Sequence, residues 1–337
     1  MQIKYRVLKA YKSFFRRIKE SKSGKKIKPG FPRFKSKDKY YSITYPQDNG
    51  SFIIIKKNKK QMLRISRIGG VQIEMHREIE GKIKTLTIKK NAGEYYAIFT
   101  TIKEIELPKI EDTNPVGIDM GLNSFIAMSD ETKIEKLKFV KKAAKYITHW
   151  QRKIARRIKG SKRRERARLN LQRKWEHTTD QSNDFAHKLS NKLINSGYTS
   201  FAVEKLSIQN MVKNHRLAQS IYNASWNRFI QMLSYKAESA GMRVIKVDAR
   251  NTTKKCSNCG NIQDMPLSIR EYNCDRCGMQ LDRDINASIN ILKRATLGQR
   301  ESHAQGDMTS AVQQALKSHV QELRTDKTHP LQDAVIA

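Results

Sequence analysis

Four cysteines occur in the chain, in two Cys-x2-Cys pairs: Cys256 with Cys259 and, 14 residues on, Cys274 with Cys277. Two such pairs about fifteen residues apart put four thiolates within reach of one tetrahedral Zn²⁺ at roughly 2.3 Å, with no open coordination position. A redox site needs one such pair at a helix start. A disulfide framework is typical of short secreted chains, whereas this chain has 337 residues. The spacing therefore predicts a structural zinc ribbon.

An acidic pair follows the last cysteine within seven residues, in the run Asp282-Arg-Asp-Ile-Asn-Ala. Asp282 is well placed as the N-cap of a helix whose apolar stripe is Ile285, Ile289 and Leu292. Asp284 lies in the first turn of that helix. Because residues two apart do not share a helix face, we expect only one of the two acids to reach a site formed elsewhere in the fold.

Two more carboxylates end apolar segments that are typical of buried strands. Asp119 follows Val116-Gly-Ile, and Glu204 follows Phe201-Ala-Val. Stripping a lone carboxylate of water costs several kcal/mol unless something compensates the charge, and metal coordination is the usual compensation. The alternatives are that Asp119 caps a local turn and that Glu204 lies on the surface.

A strand Asp, a strand Glu and a helix Asp, about 85 and 80 residues apart, are the ingredients of an RNase H-like nuclease centre. Three carboxylates can hold two Mg²⁺ ions about 4 Å apart. One ion would activate the attacking water, and the other would stabilise the leaving 3′ oxygen of a phosphodiester displacement. The eight histidines are scattered and the cysteines are committed to zinc, so no Ser-His-Asp or Cys-His arrangement is indicated.

The chain is strongly basic, with 67 Lys and Arg against 32 Asp and Glu and a net charge of +35. Such an excess repels itself unless a polyanion neutralises it, which indicates a nucleic-acid partner. No apolar run approaches the roughly 18 residues of a membrane span, and the start Met-Gln-Ile-Lys-Tyr-Arg lacks a secretory apolar core. We therefore expect a cytoplasmic protein with no membrane partner, associated with the nucleoid when bound to DNA.

The basic charge is concentrated in two blocks. Residues 1–39 carry 15 Lys and Arg with two acids, and residues 141–174 carry 15 with one acid, Glu165. The second block is typical of two helices joined at Gly160-Ser161. A solvated helix face is the alternative interpretation, but such faces usually alternate in sign. Blocks of a single sign favour contact with phosphates.

Residues 40–110 have the pattern of short strands separated by turns. Alternating apolar and polar residues, as in Leu86-Thr-Ile-Lys, are interrupted by Asp48-Asn-Gly, Gly69-Gly70 and Asn91-Ala-Gly. This pattern predicts a small basic β-barrel. Farther along, residues 222–240 predict a helix with Trp226 and Leu233 on its core face, and Gly241–Asp248 predicts a strand leading into the ribbon.

Several of these segments occur together in one known protein family. They are Gly117-Ile-Asp-Met-Gly-Leu, Ala202-Val-Glu-Lys-Leu, the two Cys-x2-Cys-Gly pairs and Asp282-Arg-Asp-Ile-Asn-Ala-Ser-Ile-Asn-Ile. They resemble the RuvC-type motifs and zinc ribbon of TnpB, the OrfB protein of insertion sequences, which is related to type V CRISPR effectors. The resemblance runs from about residue 10 to about residue 300.

The resemblance implies a set of roles. Asp119, Glu204 and Asp284 would be the catalytic Mg²⁺ ligands, Asp284 being preferred over Asp282 because it precedes x-Asn-Ala. The activity implied is RNA-guided DNA cleavage, in which a guide RNA from the transposon end pairs with target DNA while the protein grips the backbone. The wedge-like barrel and the basic helices would provide that grip.

The expected fold is α+β, a wedge-like barrel followed by a RuvC-like α/β nuclease domain with an inserted zinc ribbon. The predicted boundaries are a basic arm at 1–39, the remnant of the recognition helices, then the barrel at 40–110. The nuclease occupies 111–250 and 281–300, the ribbon 251–280 and a polar tail 301–337, with a helix at 309–324. Family members usually begin with several tens of further residues that contain the first barrel strand and most of the recognition helices. The resemblance therefore predicts an N-terminally truncated member, through a start codon assigned too late or through decay of the element, without the segment on which duplex unwinding and target-motif recognition depend.

Three functions are compatible with these patterns. The first is an RNA-guided nuclease, the second a catalytically silent nucleic-acid binder or repressor, and the third a transposase that joins DNA strands. All three carboxylates are present, which disfavours a silent binder. A transposase would use the same fold and metals, and the resemblance favours cleavage.

Overall fold

The computed structural model describes residues 2–36, 40–45, 50–57, 60–266, 269–304 and 334–336. The described chain forms two compact units. One runs from the N-terminus to Ile105 and includes the strand Ala334–Ile336; the other begins at Glu106 and includes the helix Arg283–Ala304. The helix predicted at 309–324 lies outside the described residues.

The first unit contains one helix and seven strands among its described residues. These are α1 (Gln2–Lys22), β1 (Ser42–Tyr45), β2 (Phe52–Lys57), β3 (Lys60–Ile65), β4 (Gly69–Ile73), β5 (Lys82–Asn91), β6 (Glu94–Ile102) and β14 (Ala334–Ile336). The strands form two antiparallel sheets in the orders β1-β5-β6-β14 and β2-β3-β4. Phe52 and Leu63 of one sheet and Leu86 and Phe99 of the other are buried in a common core.

The small β-barrel predicted for residues 40–110 does not close in the part that the structure describes, because the strands there divide into these two sheets. Gly69-Gly70, predicted as a turn, instead begins β4, where Gly69 pairs with Ile65. The turn lies one step earlier, at Arg67, whose φ of 66° is left-handed. Alternation predicts where strands lie, but the choice of partner strands depends on contacts distant in sequence.

The second unit combines a five-stranded sheet, a two-stranded hairpin and six helices in its described residues. Its elements are β7 (Pro115–Asp119), β8 (Ser124–Met128), β9 (Lys133–Glu135), α2 (Phe139–Ala155), α3 (Lys162–Ile194), β10 (Ser200–Glu204), α4 (Ile208–Met211), α5 (His215–Ala224), α6 (Trp226–Ser239), β11 (Arg243–Val247), β12 (Glu271–Asn273), β13 (Gln280–Asp282) and α7 (Arg283–Ala304). The fold is therefore of the mixed α+β class.

The five-stranded sheet has the order β11-β10-β7-β8-β9. β10 runs parallel to both β7 and β11, while β8 is antiparallel to β7 and to β9. One face of the sheet, with Ile118 and Val203, packs on a core that α3, α5 and α6 share. The other face, with Ala202 and Val247, packs on Ile291 and Ala295 of α7. This double coverage explains why β7 and β10 are continuous apolar runs.

The long helices follow the local sequence patterns. α2 ends at Ala155 and α3 begins at Lys162, so the predicted junction at Gly160-Ser161 is confirmed. The Ser161 side chain accepts a hydrogen bond from the Arg164 amide, as an N-cap does. The predicted core face of α6 is also confirmed, since Trp226 and Leu233 are buried. Among the described helices, none combines the length and apolar character needed to cross a membrane.

Candidate metal centres

Asp119 and Glu204 lie side by side at the ends of neighbouring parallel strands. β7 ends at Asp119 and β10 ends at Glu204, and the preceding residues Ile118 and Val203 are paired in the sheet. Both acidic residues are only 7% exposed. Because side chains alternate along a strand, both acids lie on the face opposite Ile118 and Val203, which is the face that α7 covers.

A glycine in β7 sets the distance between the sheet and α7. A Cβ atom on Gly117 would lie 2.1 Å from the Ser288 carbonyl oxygen and 2.9 Å from the Leu292 Cβ atom. The helix backbone therefore rests directly on the strand backbone. This close approach brings Asp284, in the first turn of α7, to the turn that follows β7, where a Cβ atom on Gly121 would lie 3.7 Å from Asp284 Oδ2.

The three carboxylates form one electrostatic cluster. Burial raises the pKa of Asp119 well above its ordinary value, and the negative charges of Glu204 and Asp284 raise it further. A hydrogen bond from the Met120 amide and the charge of Arg283 oppose this rise but do not cancel it. The protein alone therefore undercompensates the Asp119 charge, which is the situation that a bound cation relieves.

Glu204 has a partner from the segment that follows β11. Burial raises the pKa of Glu204, although a hydrogen bond from the Thr252 hydroxyl to its Oε1 atom and the charge of Arg294 act in the opposite direction. Thr252 is itself buried. The hydroxyl fixes one carboxylate oxygen of Glu204, so the orientation of this side chain depends on where Thr252 is held.

Asp282 is placed differently from Asp284. Its Oδ1 atom accepts hydrogen bonds from the amides of Asp284 (2.9 Å) and Ile285 (3.2 Å), so it caps α7, and its other oxygen pairs with Lys133 of β9. Burial would raise the pKa of Asp282, but the hydrogen bond from Lys133 and those amides lower it below its ordinary value. The structure thus gives Asp282 a capping role and places Asp284 in the carboxylate cluster.

Replacing Asp282 with alanine will lower the free energy of unfolding by about 1 kcal/mol, the usual cost of losing an N-cap. Asparagine, which keeps the acceptor oxygen, will cost less. Since the folded-state pKa of Asp282 lies below its unfolded value, its stabilisation is present at neutral pH and is lost as the pH falls through the folded-state pKa. Urea denaturation of both variants at neutral and acidic pH measures this, and equal losses for alanine and asparagine would contradict the capping role.

The four cysteines converge on one point. Their Sγ atoms all lie within 4.8 Å of one another, with Cys256 and Cys277 3.7 Å apart and Cys259 and Cys274 3.6 Å apart. A tetrahedron with metal–sulfur bonds of roughly 2.3 Å has sulfur–sulfur edges of about 3.8 Å. The thiols therefore fit a tetrahedral zinc site without rearrangement.

Each cysteine pair closes a turn of the same form. The amide of Gly260 donates to the Cys256 carbonyl, and the amide of Gly278 donates to the Cys274 carbonyl. Both glycines have a left-handed φ, 77° and 69°, which explains the glycine after each pair. The backbone amides of Cys277 and Arg276 lower the pKa of Cys274 to about 6, which favours the thiolate form that binds metals.

In the described part of the chain, these thiols are the one group of three or more His, Cys, Asp or Glu side chains whose ligand atoms converge as they would on a metal ion. Asp119 and Glu204 are buried at neighbouring strand ends, Asp284 is half-buried, and the charges of Glu204 and Asp284 both act on Asp119. The molecule thus offers a preformed sulfur site and a separate oxygen-rich cluster.

Two family models match successive parts of the chain. Residues 97–215 match OrfB_IS605, described as "Probable transposase", and residues 226–291 match the Cas12f1-like TNB domain. A protein of Streptomyces pristinaespiralis named "Putative RNA-guided DNA endonuclease" is 31% identical over 270 residues. The chain is similar to the TnpB/OrfB family over these ranges. Asp119 and Glu204 lie in the first matched range, and the four cysteines and Asp284 lie in the second.

These relatives are longer than the region that aligns with this chain. The Streptomyces alignment takes in 78% of this chain and 65% of the relative. InsQ of Escherichia coli K12, which carries the same description, is 24% identical over 300 residues, 84% of this chain and 71% of the relative. The chain thus spans about two thirds of the length of these relatives.

A solved structure shares the fold. Cas12f1, determined by cryo-EM in a complex with sgRNA and target DNA, superposes with a TM-score of 0.58 at 16% identity and covers 82% of this chain and 68% of that one. At this identity the likeness shows the fold alone. The chain therefore has a mixed α+β fold resembling that of Cas12f1.

Two residues that shape the carboxylate cluster were missed by the sequence analysis. An isolated glycine inside an apolar strand, as at Gly117, indicates a close backbone approach and could have predicted the contact with α7. Thr252 has no comparable pattern around it, since a threonine after a strand is ordinary. Its role depends on a contact with Glu204, 48 residues away in sequence.

Proposed function

We propose that this chain is an RNA-guided DNA endonuclease and that Asp119, Glu204 and Asp284 form its cutting centre. The observation that carries the proposal is the burial of Asp119 beside two other carboxylates with too little positive charge to balance them. Proteins rarely bury such charge without a function for it. The names of the relatives and the fold shared with Cas12f1 agree with this activity.

The sheet supports an RNase H-like, RuvC-type nuclease domain. Three antiparallel strands, β9, β8 and β7, continue into the parallel strands β10 and β11. In open sheets with parallel strands, sites form outside the carboxyl ends of the strands. Asp119 and Glu204 occupy those ends, and the first turn of α7 adds Asp284 from above the same face.

The three carboxylates suit Mg²⁺, because hard oxygen ligands of high negative charge are what this ion prefers. Asp119, Glu204 and Asp284 would hold it, and bound Mg²⁺ would supply charge neutralisation and activation of a water nucleophile. Thr252 fixes the Glu204 carboxylate through its hydroxyl hydrogen bond. Gly117 holds α7, and with it Asp284, against the sheet.

The cysteine cluster would hold a structural Zn²⁺. The four sulfurs are already at tetrahedral spacing, and such a site leaves no position open for chemistry. Its role is to fold residues 251–280, which lie between β11 and α7. We expect removal of zinc to unfold this segment, since metal binding and folding are coupled in such modules.

The basic helices α2 and α3 supply a surface for nucleic-acid backbones. None of the 15 lysines and arginines at positions 141–174 is buried. Lys153 lies 4.7 Å from the centre of the Trp150 ring, and Lys174 lies 5.5 Å from that of Tyr146. Tyr146 is exposed and Trp150 is half-buried, and cations stacked beside accessible rings suit both phosphates and bases. A guide RNA from the transposon end and target DNA are the proposed partners.

The test is to co-express the full chain with its flanking transposon DNA, purify it and sequence the RNA that copurifies. Plasmids with and without a sequence complementary to that RNA are then incubated with the complex and Mg²⁺. We expect cleavage of the complementary plasmid only.

Each alternative function gives a different result in this assay. Bound RNA without cleavage identifies a silent binder or repressor, and joined strands identify a transposase. Cleavage that does not depend on RNA excludes guidance while keeping the nuclease. The absence of both RNA and cleavage overturns the proposal.

A further inference from the structure

We propose that Thr252, Asn286 and Asn290 are positioning residues that couple the cysteine cluster to the carboxylate cluster, so that the state of the first sets the metal affinity of the second. The inference rests on the proposed nuclease centre. It adds that the ribbon acts through specific buried hydrogen bonds within the protein, in addition to any contact with nucleic acid.

Asn286 makes hydrogen bonds to the residues on both sides of one cysteine. Its Oδ1 atom accepts a hydrogen bond from the Ser257 amide at 2.8 Å, and its Nδ2 atom donates to the Lys255 carbonyl at 2.9 Å. Ser257 and Lys255 are the residues on either side of Cys256. Asn286 is fully buried. The amide therefore holds the backbone of Cys256 as a paired strand would, and it does so two residues after Asp284 on α7.

Asn290 extends this contact by one helical turn. Its Nδ2 atom donates to the carbonyls of Thr252 at 2.9 Å and Lys255 at 2.6 Å. It is 6% exposed. Residues four apart lie on one face of a helix, so Asn286 and Asn290 together attach the ribbon backbone along the first turns of α7.

Thr252 connects this attachment to the opposite carboxylate. Its carbonyl accepts from Asn290, while its hydroxyl donates to Glu204 Oε1. Buried polar groups keep their geometry because an unpaired partner in the interior is costly. A chain of contacts thus runs from Cys256 through Asn286 to the helix of Asp284, and through Asn290 and Thr252 to Glu204.

The hydrogen bonds made by Asn286, Asn290 and Thr252 explain why amide and hydroxyl side chains occupy these positions. An asparagine side chain offers one acceptor and two donors and so can pair with backbone amides and carbonyls at once. Lys293, farther along α7, also donates to the Ser257 carbonyl. Asn286, Asn290 and Lys293 thus contact the ribbon through hydrogen bonds, whereas Ile291 and Ala295 of the same helix pack on the sheet through apolar contacts.

The test measures Mn²⁺ binding to the full-length chain by EPR titration, independently of cleavage. Thr252→Val keeps the branched shape and removes only the hydroxyl; Thr253→Val makes the same change at the neighbouring, partly exposed position. Loss of a group that orients a metal ligand usually weakens affinity about 10- to 100-fold. We expect a loss of that size for Thr252→Val and for Asn290→Leu, and less than about a twofold change for Thr253→Val.

A second set of measurements on the same variants examines the cysteine cluster directly. Zinc content and the visible spectrum of the Co²⁺-substituted cluster report whether the ribbon remains folded in each variant, which separates positioning from misfolding. Removing zinc from the unaltered chain should weaken Mn²⁺ binding by a similar factor. Unchanged Mn²⁺ affinity in Thr252→Val with an intact cobalt spectrum, or after zinc removal, overturns the coupling.

The proposed centre itself is tested by Asp119→Ala. This substitution should abolish the Mn²⁺ site altogether. If Mn²⁺ binding survives Asp119→Ala, the assignment of the carboxylate centre is at fault. If Asp119→Ala abolishes binding while Thr252→Val and Asn290→Leu bind as the unaltered chain does, the centre stands and the coupling fails.

Discussion

Asp119→Asn will make the protein more stable and inactive at the same time. The folded-state pKa of Asp119 is raised by burial and by its carboxylate neighbours, so the folded state holds that proton more tightly than the unfolded state. Stability therefore falls as the pH rises from the unfolded value towards the folded one. At neutral pH and without added divalent cations, the neutral asparagine removes this penalty, and each 1 kcal/mol gained raises Tm by roughly 2–4 °C.

The same substitution removes a proposed metal ligand. Loss of residues that merely orient ligands costs about 10- to 100-fold in activity, so we expect Mg²⁺-dependent cleavage to fall by more than about 100-fold. Mg²⁺ should raise the Tm of the unaltered protein, because a ligand that binds only the folded state stabilises it. It should not raise the Tm of the variant.

Asp130→Asn is the matched control. Burial would raise the pKa of Asp130, but hydrogen bonds from the Tyr198 hydroxyl and the Thr132 amide lower it below its ordinary value. Removal of this charge should therefore destabilise the protein and leave its Mg²⁺ response intact. Scanning calorimetry with and without Mg²⁺ distinguishes the two variants. A loss of stability in Asp119→Asn would show that the protein already compensates this charge.

Gly117→Ala will disrupt the contact between β7 and α7. The added methyl would meet the Ser288 carbonyl oxygen at 2.1 Å and Leu292 at 2.9 Å, and both belong to a packed helix that cannot yield as an exposed side chain would. Overpacking of a core usually costs 1–3 kcal/mol, and a backbone clash of this kind costs more. We expect a loss of at least about 3 kcal/mol in the free energy of unfolding.

In Gly117→Ala, the displacement of α7 from β7 should also move Asp284 away from Asp119. A misplacement of about 1 Å in a catalytic group can cost on the order of 100-fold in rate. Gly121→Ala is the control, since its nearest non-adjacent atom is Ser124 O at 3.0 Å, and it should be much milder. Urea denaturation and cleavage kinetics of both variants give the measurement. Equal stability for the two would mean that α7 does not depend on Gly117 for its position.

Features encoded locally could be predicted from the sequence. Each Cys-x2-Cys-Gly pair closes its own turn, so the spacing alone indicated the sulfur cluster. Asp282 caps the helix beside it, and the apolar period of α6 indicated its buried face. In each case the residues concerned lie within a few positions of one another or repeat with the period of the element, and the pattern does not depend on the rest of the fold.

The arrangement of the elements depended on contacts that no local pattern contains. Of the strands of the first unit, β4 and β14 were not predicted, and neither was the division into two sheets, because alternation is the same in a barrel and in separate sheets. The apolar runs of β7 and β10 indicated two strands that each end in an acidic residue. No local pattern indicated the hydrogen bond from the Thr252 hydroxyl, since its partner Glu204 is distant in sequence.

Because α7 follows the other elements of the second unit in the sequence, it is the last of them to be synthesised. About half the chain separates Asp119 from Asp284, and at 5–20 residues per second a ribosome needs on the order of ten seconds to synthesise that length. During this interval β7 and β10 can pair, but the face with Gly117 and Ala202 has no helix to cover it. Until α7 has been synthesised, the nascent protein therefore displays a bare apolar sheet face and lacks Asp284, one of the three carboxylates of the proposed centre.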